Sequence, residues 1–163
     1  MHPVENGPEP PPHYSERLTV PLRWWVQGTM LVASLWLAVV VALPEPAAWA
    51  VTGLAMALLA VLLLGYGAAR VSVDDGELRA GRARIEGRHL GAATALDPEA
   101  TRRLAGVEAD ARAYLLLRPY LKRAVRVDVT APDDPAPYWL LSTRHPDELA
   151  GAVTALTRSA GAR

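Results

Sequence analysis

WWVQGTMLVASLWLAVVVAL, residues 24–43, decides how the rest of the chain is read. It is 20 residues long and carries no charge. As a helix rising about 1.5 Å per residue it spans roughly 30 Å, the thickness of the hydrocarbon core of a bilayer. Gln27 falls near the interface, and the hydroxyls of Thr29 and Ser34 can bond to carbonyls of their own helix. A second run, AAWAVTGLAMALLAVLLLGYGAA, covers 23 uncharged residues, 47–69. Across residues 24–69 the only charged side chain is Glu45. A soluble core helix is seldom apolar around its whole circumference for such a length. Pro44-Glu45-Pro46 joins the runs and breaks the helix between them. The pattern predicts a membrane α-helical hairpin of two transmembrane helices, 24–43 and 47–69.

Aromatic and basic residues orient that hairpin. Trp24, Trp25, Trp49 and Tyr66 sit near the ends of the runs, where amphipathic rings favour the headgroup layer. The connector has no Lys or Arg, whereas Arg17 and Arg23 precede the first run and Arg70, Arg79, Arg82, Arg84 and Arg88 follow the second. The positive-inside bias predicts a multi-pass protein of the plasma membrane with both termini cytoplasmic. A signal peptide is the competing reading, since Ala48-Trp49-Ala50 resembles a cleavage site; the apolar run is too long for it and starts only after 23 residues. Gly53-x-x-x-Ala57 is a small-residue pair expected to pack within the hairpin, with contact between copies in a homo-oligomer as its other use.

The chain of 163 residues has 17 basic and 17 acidic side chains and no cysteine. A balanced charge lacks the cation surplus of a dedicated nucleic-acid binder. Without cysteine there are no disulfides and no thiolate nucleophiles or ligands. Residues 1–23 hold six of the 14 prolines and almost no apolar periodicity, so a disordered tail is expected to about Tyr14, followed by a short interfacial lead-in.

Residues 70–163 carry 15 basic and 13 acidic residues and suffice for one independent core. Alternation in RVSV (70–73) and ELRA (77–80) around Asp74-Asp75-Gly76 predicts a hairpin. Residues 82–85, 89–96, 112–117, 124–130 and 138–143 read as further strands. Asp97-Pro98-Glu99 opens a short helix to about Gly106, with Asp97 as cap. A last helix starts at Pro146 and lines up Leu149, Ala150, Val153 and Leu156. The expected domain, 70–157 before a tail at 158–163, is α+β: a mainly antiparallel curved sheet or partial barrel capped by a C-terminal helix, resembling the bacterial pleckstrin-homology-like (PH-like) domains.

A resemblance at family level rests on four stretches in order: YSERLTVP (14–21), VSVDDGELRAG (71–81), AYLLLRPYLKRAVRVDV (113–129) and PYWLLSTRHPDEL (137–149), with the hairpin between the first two. In this order the chain resembles an actinobacterial membrane family, domain of unknown function 3093. Its single lysine, Lys122, against many arginines also suits a high-GC bacterium. The resemblance implies an integral membrane protein and supplies no catalytic residues.

No catalytic, metal or cofactor-binding residue is expected. His2, His13, His89 and His145 show no metal-ligand spacing, Ser72 and Ser142 lack nucleophile-elbow glycines, and no phosphate-binding glycine loop occurs. Asp74-Asp75 and Asp133-Asp134 read as turn residues. Arg118, Lys122 and Arg126 repeat every four residues, which in a strand places them on one face. With Arg123 and Arg144 they are the expected contacts for a protein partner or anionic lipid headgroups; the other reading of this face is a solvated one, neutralised by Asp128, Glu77 and Glu86. The leading expectation is a non-enzymatic interaction or scaffold module anchored in the membrane. The alternatives are a membrane-bound hydrolase or transferase using His145 with Asp147 or Ser142, and an accessory subunit of a transporter or small oligomeric pore. The chain is expected to stay with membranes through alkaline extraction, and a reporter fused after Arg163 to be active only inside the cell; a soluble chain, or a reporter active outside, refutes the hairpin.

Overall fold

A computed structural model describes residues 13–162. The proline-rich stretch at residues 1–12, expected to be disordered, lies outside the described residues. The chain divides into two compact units: a helical one, Arg17–Ala69, and a sheet unit that joins the segment ending at Glu16 to the segment starting at Arg70.

In the helical unit, α1 (Leu22–Ala42) and α2 (Glu45–Tyr66) are both long and apolar enough to cross a membrane. The turn between them is tighter than expected, because Glu45 and Pro46 already belong to the first turn of α2, where proline loses no helical hydrogen bond. Ser34 and Thr52 give their hydroxyls to carbonyls one turn back, at 2.9 and 2.8 Å, which removes two polar groups from the apolar surface. Leu31, Leu35, Leu58 and Leu62 point outward and are exposed. The helices pack where Leu59 lies against Gly28: a Cβ there would stand 2.8 Å from Leu59 Cδ1. Gly53, by contrast, faces open space. The expectation that Gly53-x-x-x-Ala57 packs the hairpin therefore fails, because that face of α2 turns away from α1. At the open end Leu18 N–H donates to Ala69 O at 3.0 Å, and Trp24 stacks on Tyr66 at 6.4 Å.

Among the described residues the sheet unit holds two four-stranded sheets and no closed barrel. Sheet A has the order β1 (Tyr14–Arg17), β2 (Arg70–Asp74), β3 (Glu77–Ala80), β4 (Ala83–Glu86). After a 3-10 turn at Gly87–His89 the chain enters sheet B, ordered β5 (Leu90–Leu96), β7 (Ala124–Val129), β8 (Tyr138–Ser142), β6 (Tyr114–Leu116). Two further helices complete it, α3 (Pro98–Ala105) and α4 (Pro146–Gly161). The β2–β3 hairpin turns through Asp75 and Gly76 at φ 50° and 80°, the left-handed pair of a two-residue turn. Asp97 Oδ1 accepts from Ala100 N–H at 2.7 Å and caps α3 as expected.

Three expectations are corrected. Strands that periodicity would join in one curved sheet divide into two, since alternation identifies a strand but not its neighbour. Tyr14–Arg17, expected in the tail and lead-in, is an edge strand of sheet A. The pairing is mainly antiparallel as expected, with β6 running parallel to β8, because the chain crosses over to form β7 before β8 is laid down between them. Finally, α4 runs to Gly161, so residues 158–161, expected in the C-terminal tail, belong to the helix.

β8, in the interior of sheet B, is buried along its whole length. Ala124, Tyr138 and Leu140 form one cluster, covered by Leu96, Leu104 and Leu117. Val125, Val127 and Leu141 are likewise buried, as are Leu149, Val153 and Leu156 of α4, which packs on β5 and β7. The helix approaches Gly87 so closely that a Cβ there would lie 2.9 Å from Leu156 Cγ. Leu140→Ala is expected to destabilise the sheet unit by about 2–5 kcal/mol in urea titration of the full chain in detergent; an unchanged midpoint would remove Leu140 from the core.

Candidate functional site

Antiparallel register builds the site. Ala124 of β7 stands opposite Ser142 of β8, and one step further Thr143 N–H donates to Arg123 O at 3.2 Å. Arg118 N–H donates to the buried Ser142 Oγ at 3.0 Å, and Leu121 N–H closes a turn onto Arg118 O at 2.9 Å. Arg118, Lys122, Arg123 and Arg144 therefore meet at one end of sheet B. Lys122, Arg123 and Arg144 are exposed and Arg118 is half-buried.

Arg126 does not join them. It lies within β7 opposite Leu140, bonds to Asp128 Oδ1 at 2.8 Å, and stacks 4.6 Å above the Tyr138 ring. The single strand face expected for Arg118, Lys122 and Arg126 does not form, because β7 starts only at Ala124. Pro119 has no N–H for a ladder, and its fixed φ suits the turn found there. Strand pairing, not four-residue periodicity, gathers the cations.

Beside Arg144 lies a buried polar cluster that sequence reasoning missed. Alternation in β1 sends Tyr14 and Glu16 inward and Ser15 and Arg17 outward. Glu16 Oε2 accepts the Tyr14 hydroxyl at 2.8 Å and the Thr143 hydroxyl at 2.6 Å. Glu16 Oε1 accepts Arg144 N–H at 3.1 Å and lies 3.3 Å from Arg144 Nη1. Thr143 Oγ1 in turn accepts His145 N–H at 2.9 Å, at the entry to α4. The Glu16 side chain is only 8% exposed. Burial pushes the Tyr14 phenol well above its ordinary range; the Thr143 hydroxyl opposes the shift and the Glu16 carboxylate adds to it. The only local signal for this cluster was the in-out alternation of YSER.

Among the described residues no hydrogen bond joins the side chains of His145, Ser142 and Asp147. Asp74 and Asp134 each accept a backbone N–H of their own turn, from Asp75 and Ala136 at 2.9 Å. Among the described residues no group of three or more His, Asp or Glu side chains is placed to hold a metal ion.

A family model, Protein of unknown function (DUF3093), matches residues 13–153. The chain belongs to that family. No curated protein and no solved structure matches it. The DUF3093 match begins one residue before β1 and ends inside α4, so it takes in both partners of the Glu16–Thr143 contact.

Glu16→Ala leaves the Tyr14 and Thr143 hydroxyls without their acceptor and is expected to cost about 2–4 kcal/mol in urea titration. Because the folded state holds the Tyr14 proton beyond the range where the unfolded chain loses it, the wild type should lose stability as pH rises above about 10. The Tyr14→Phe chain should fall less steeply over the same range, and parallel curves for the two would show that Tyr14 is not held neutral.

Proposed function

We propose that this DUF3093 chain is a non-enzymatic interaction module anchored in the plasma membrane, whose basic sheet end engages anionic lipid headgroups. The observation that carries this reading is the gathering of Arg118, Lys122, Arg123 and Arg144 at one end of sheet B. The same end is bonded through Arg144 to Glu16, six residues ahead of the start of α1 at Leu22. A cation close to an anionic leaflet contributes about 1 kcal/mol.

Connectivity supports one-sided topology. β1 and β2 are neighbours in sheet A, although residues 18–69 separate them. An even number of crossings between two strands of one sheet leaves both flanks on the same side, and the arginines around α1 and α2 favour the cytoplasm. The packing of α4 on β5 and β7 supports a PH-like plan, and the excess of arginine over lysine supports an actinobacterial source.

β1 belongs to the sheet unit, so the test uses the full chain. Lys122→Glu with Arg123→Glu reverses two exposed cations. The double variant is expected to retain phosphatidylglycerol over phosphatidylcholine about tenfold less well than wild type after purification from mixed-lipid nanodiscs at low salt. Equal retention overturns the headgroup reading.

A further inference from the structure

The far end of β7 from the basic cluster carries the opposite charge. There Val129 N–H donates to Pro137 O at 3.1 Å and Thr130 N–H to His89 O at 2.8 Å, which sets loop 131–137 beside the Gly87–His89 turn. An open groove of about 530 Å³ runs between this loop and β4. One wall is β4 itself, through Arg84, Ile85 and Glu86. β4 is the last strand of sheet A, and among the described residues Ala83–Glu86 makes no backbone hydrogen bond beyond its ladder to β3. Its outer N–H and C=O groups are spaced for another strand.

The opposite wall sets the chemistry of the occupant. Asp133 and Asp134 line it, and neither makes an ion pair among the described residues. Glu86, on the strand side, is already held by Arg88 at 2.8 Å. Glu77 is likewise held by Arg79 at 3.1 Å, so the groove's acidic side chains without an ion pair among the described residues are the two on the loop wall, with Arg84 on the strand side.

We propose that this groove docks an extended basic segment of a partner protein, which adds to sheet A beside β4 and sets Lys or Arg side chains against Asp133 and Asp134. The main chain supplies pairing along the open edge, and the two aspartates select the charge of the residues facing the loop. The surface is separate from Lys122 and Arg123, which lie at the other end of β7, so the proposal stands without the headgroup reading.

The test measures binding of a labelled ten-residue peptide of alternating lysine and valine to the full chain in phosphatidylcholine nanodiscs. A second peptide carries proline in place of valine at alternate positions, keeping the charge but losing the strand. The first peptide is expected to bind at least tenfold more tightly than the second, and Asp133→Lys to weaken it by about tenfold. Lys122→Glu with Arg123→Glu should leave it unchanged. Equal binding of the two peptides shows charge attraction without strand addition and overturns the proposal, as does the absence of binding or indifference to Asp133→Lys.

Discussion

The buried carboxylate of Glu16 is the contact on which the sheet unit depends. A four-residue edge strand separated from its sheet by residues 18–69 has little to hold it by itself. Glu16 supplies the hold by accepting from Tyr14, Thr143 and Arg144, hydroxyl, amide and guanidinium together. Hydrogen bonds to a charged acceptor are the stronger ones, and a carboxylate buried without them is costly. The unit is thus built from two sequence segments, and the hairpin is an insertion between neighbouring strands. That placement returns the chain to the sheet where it left.

Charge in the sheet unit follows strand direction. β7 runs from a basic end, where Arg123 and Lys122 precede Ala124, to an acidic loop containing Asp133 and Asp134 beyond Val129. The overall balance of 17 basic against 17 acidic residues conceals this separation. Arg126 and Asp128, between the two ends, neutralise each other on one strand face. The edge of β4 lies on the same side as the acidic loop, with which it lines one groove.

Much of the secondary structure was legible because its signals are local. Asp97 before Pro98, Asp75-Gly76 between alternating runs, and the Leu149–Val153–Leu156 stripe each act within a few residues, and each element formed where its signal stood. The shared location of four cations was legible as a cluster in sequence, but the pairing that gathers them was not. Arg118, Lys122, Arg123 and Arg144 do come together, whereas Arg126 was drawn in by a periodicity that Pro119 interrupts. Glu16 and Tyr14 escaped notice because their partner Thr143 lies 127 and 129 residues away.

Sequence alone determined the two apolar helices, the order of strands from residue 70 onward and the charge carried by each segment, since hydropathy, turn chemistry and alternation are properties of neighbouring residues. Tertiary structure decided which strands are neighbours, that β1 belongs to the sheet, that Gly28 rather than Gly53 meets the other helix, and which cations share an end. Those choices rest on register between distant segments. A strand's alternation is satisfied equally well by any partner with a matching apolar face, and only the folded chain selects one.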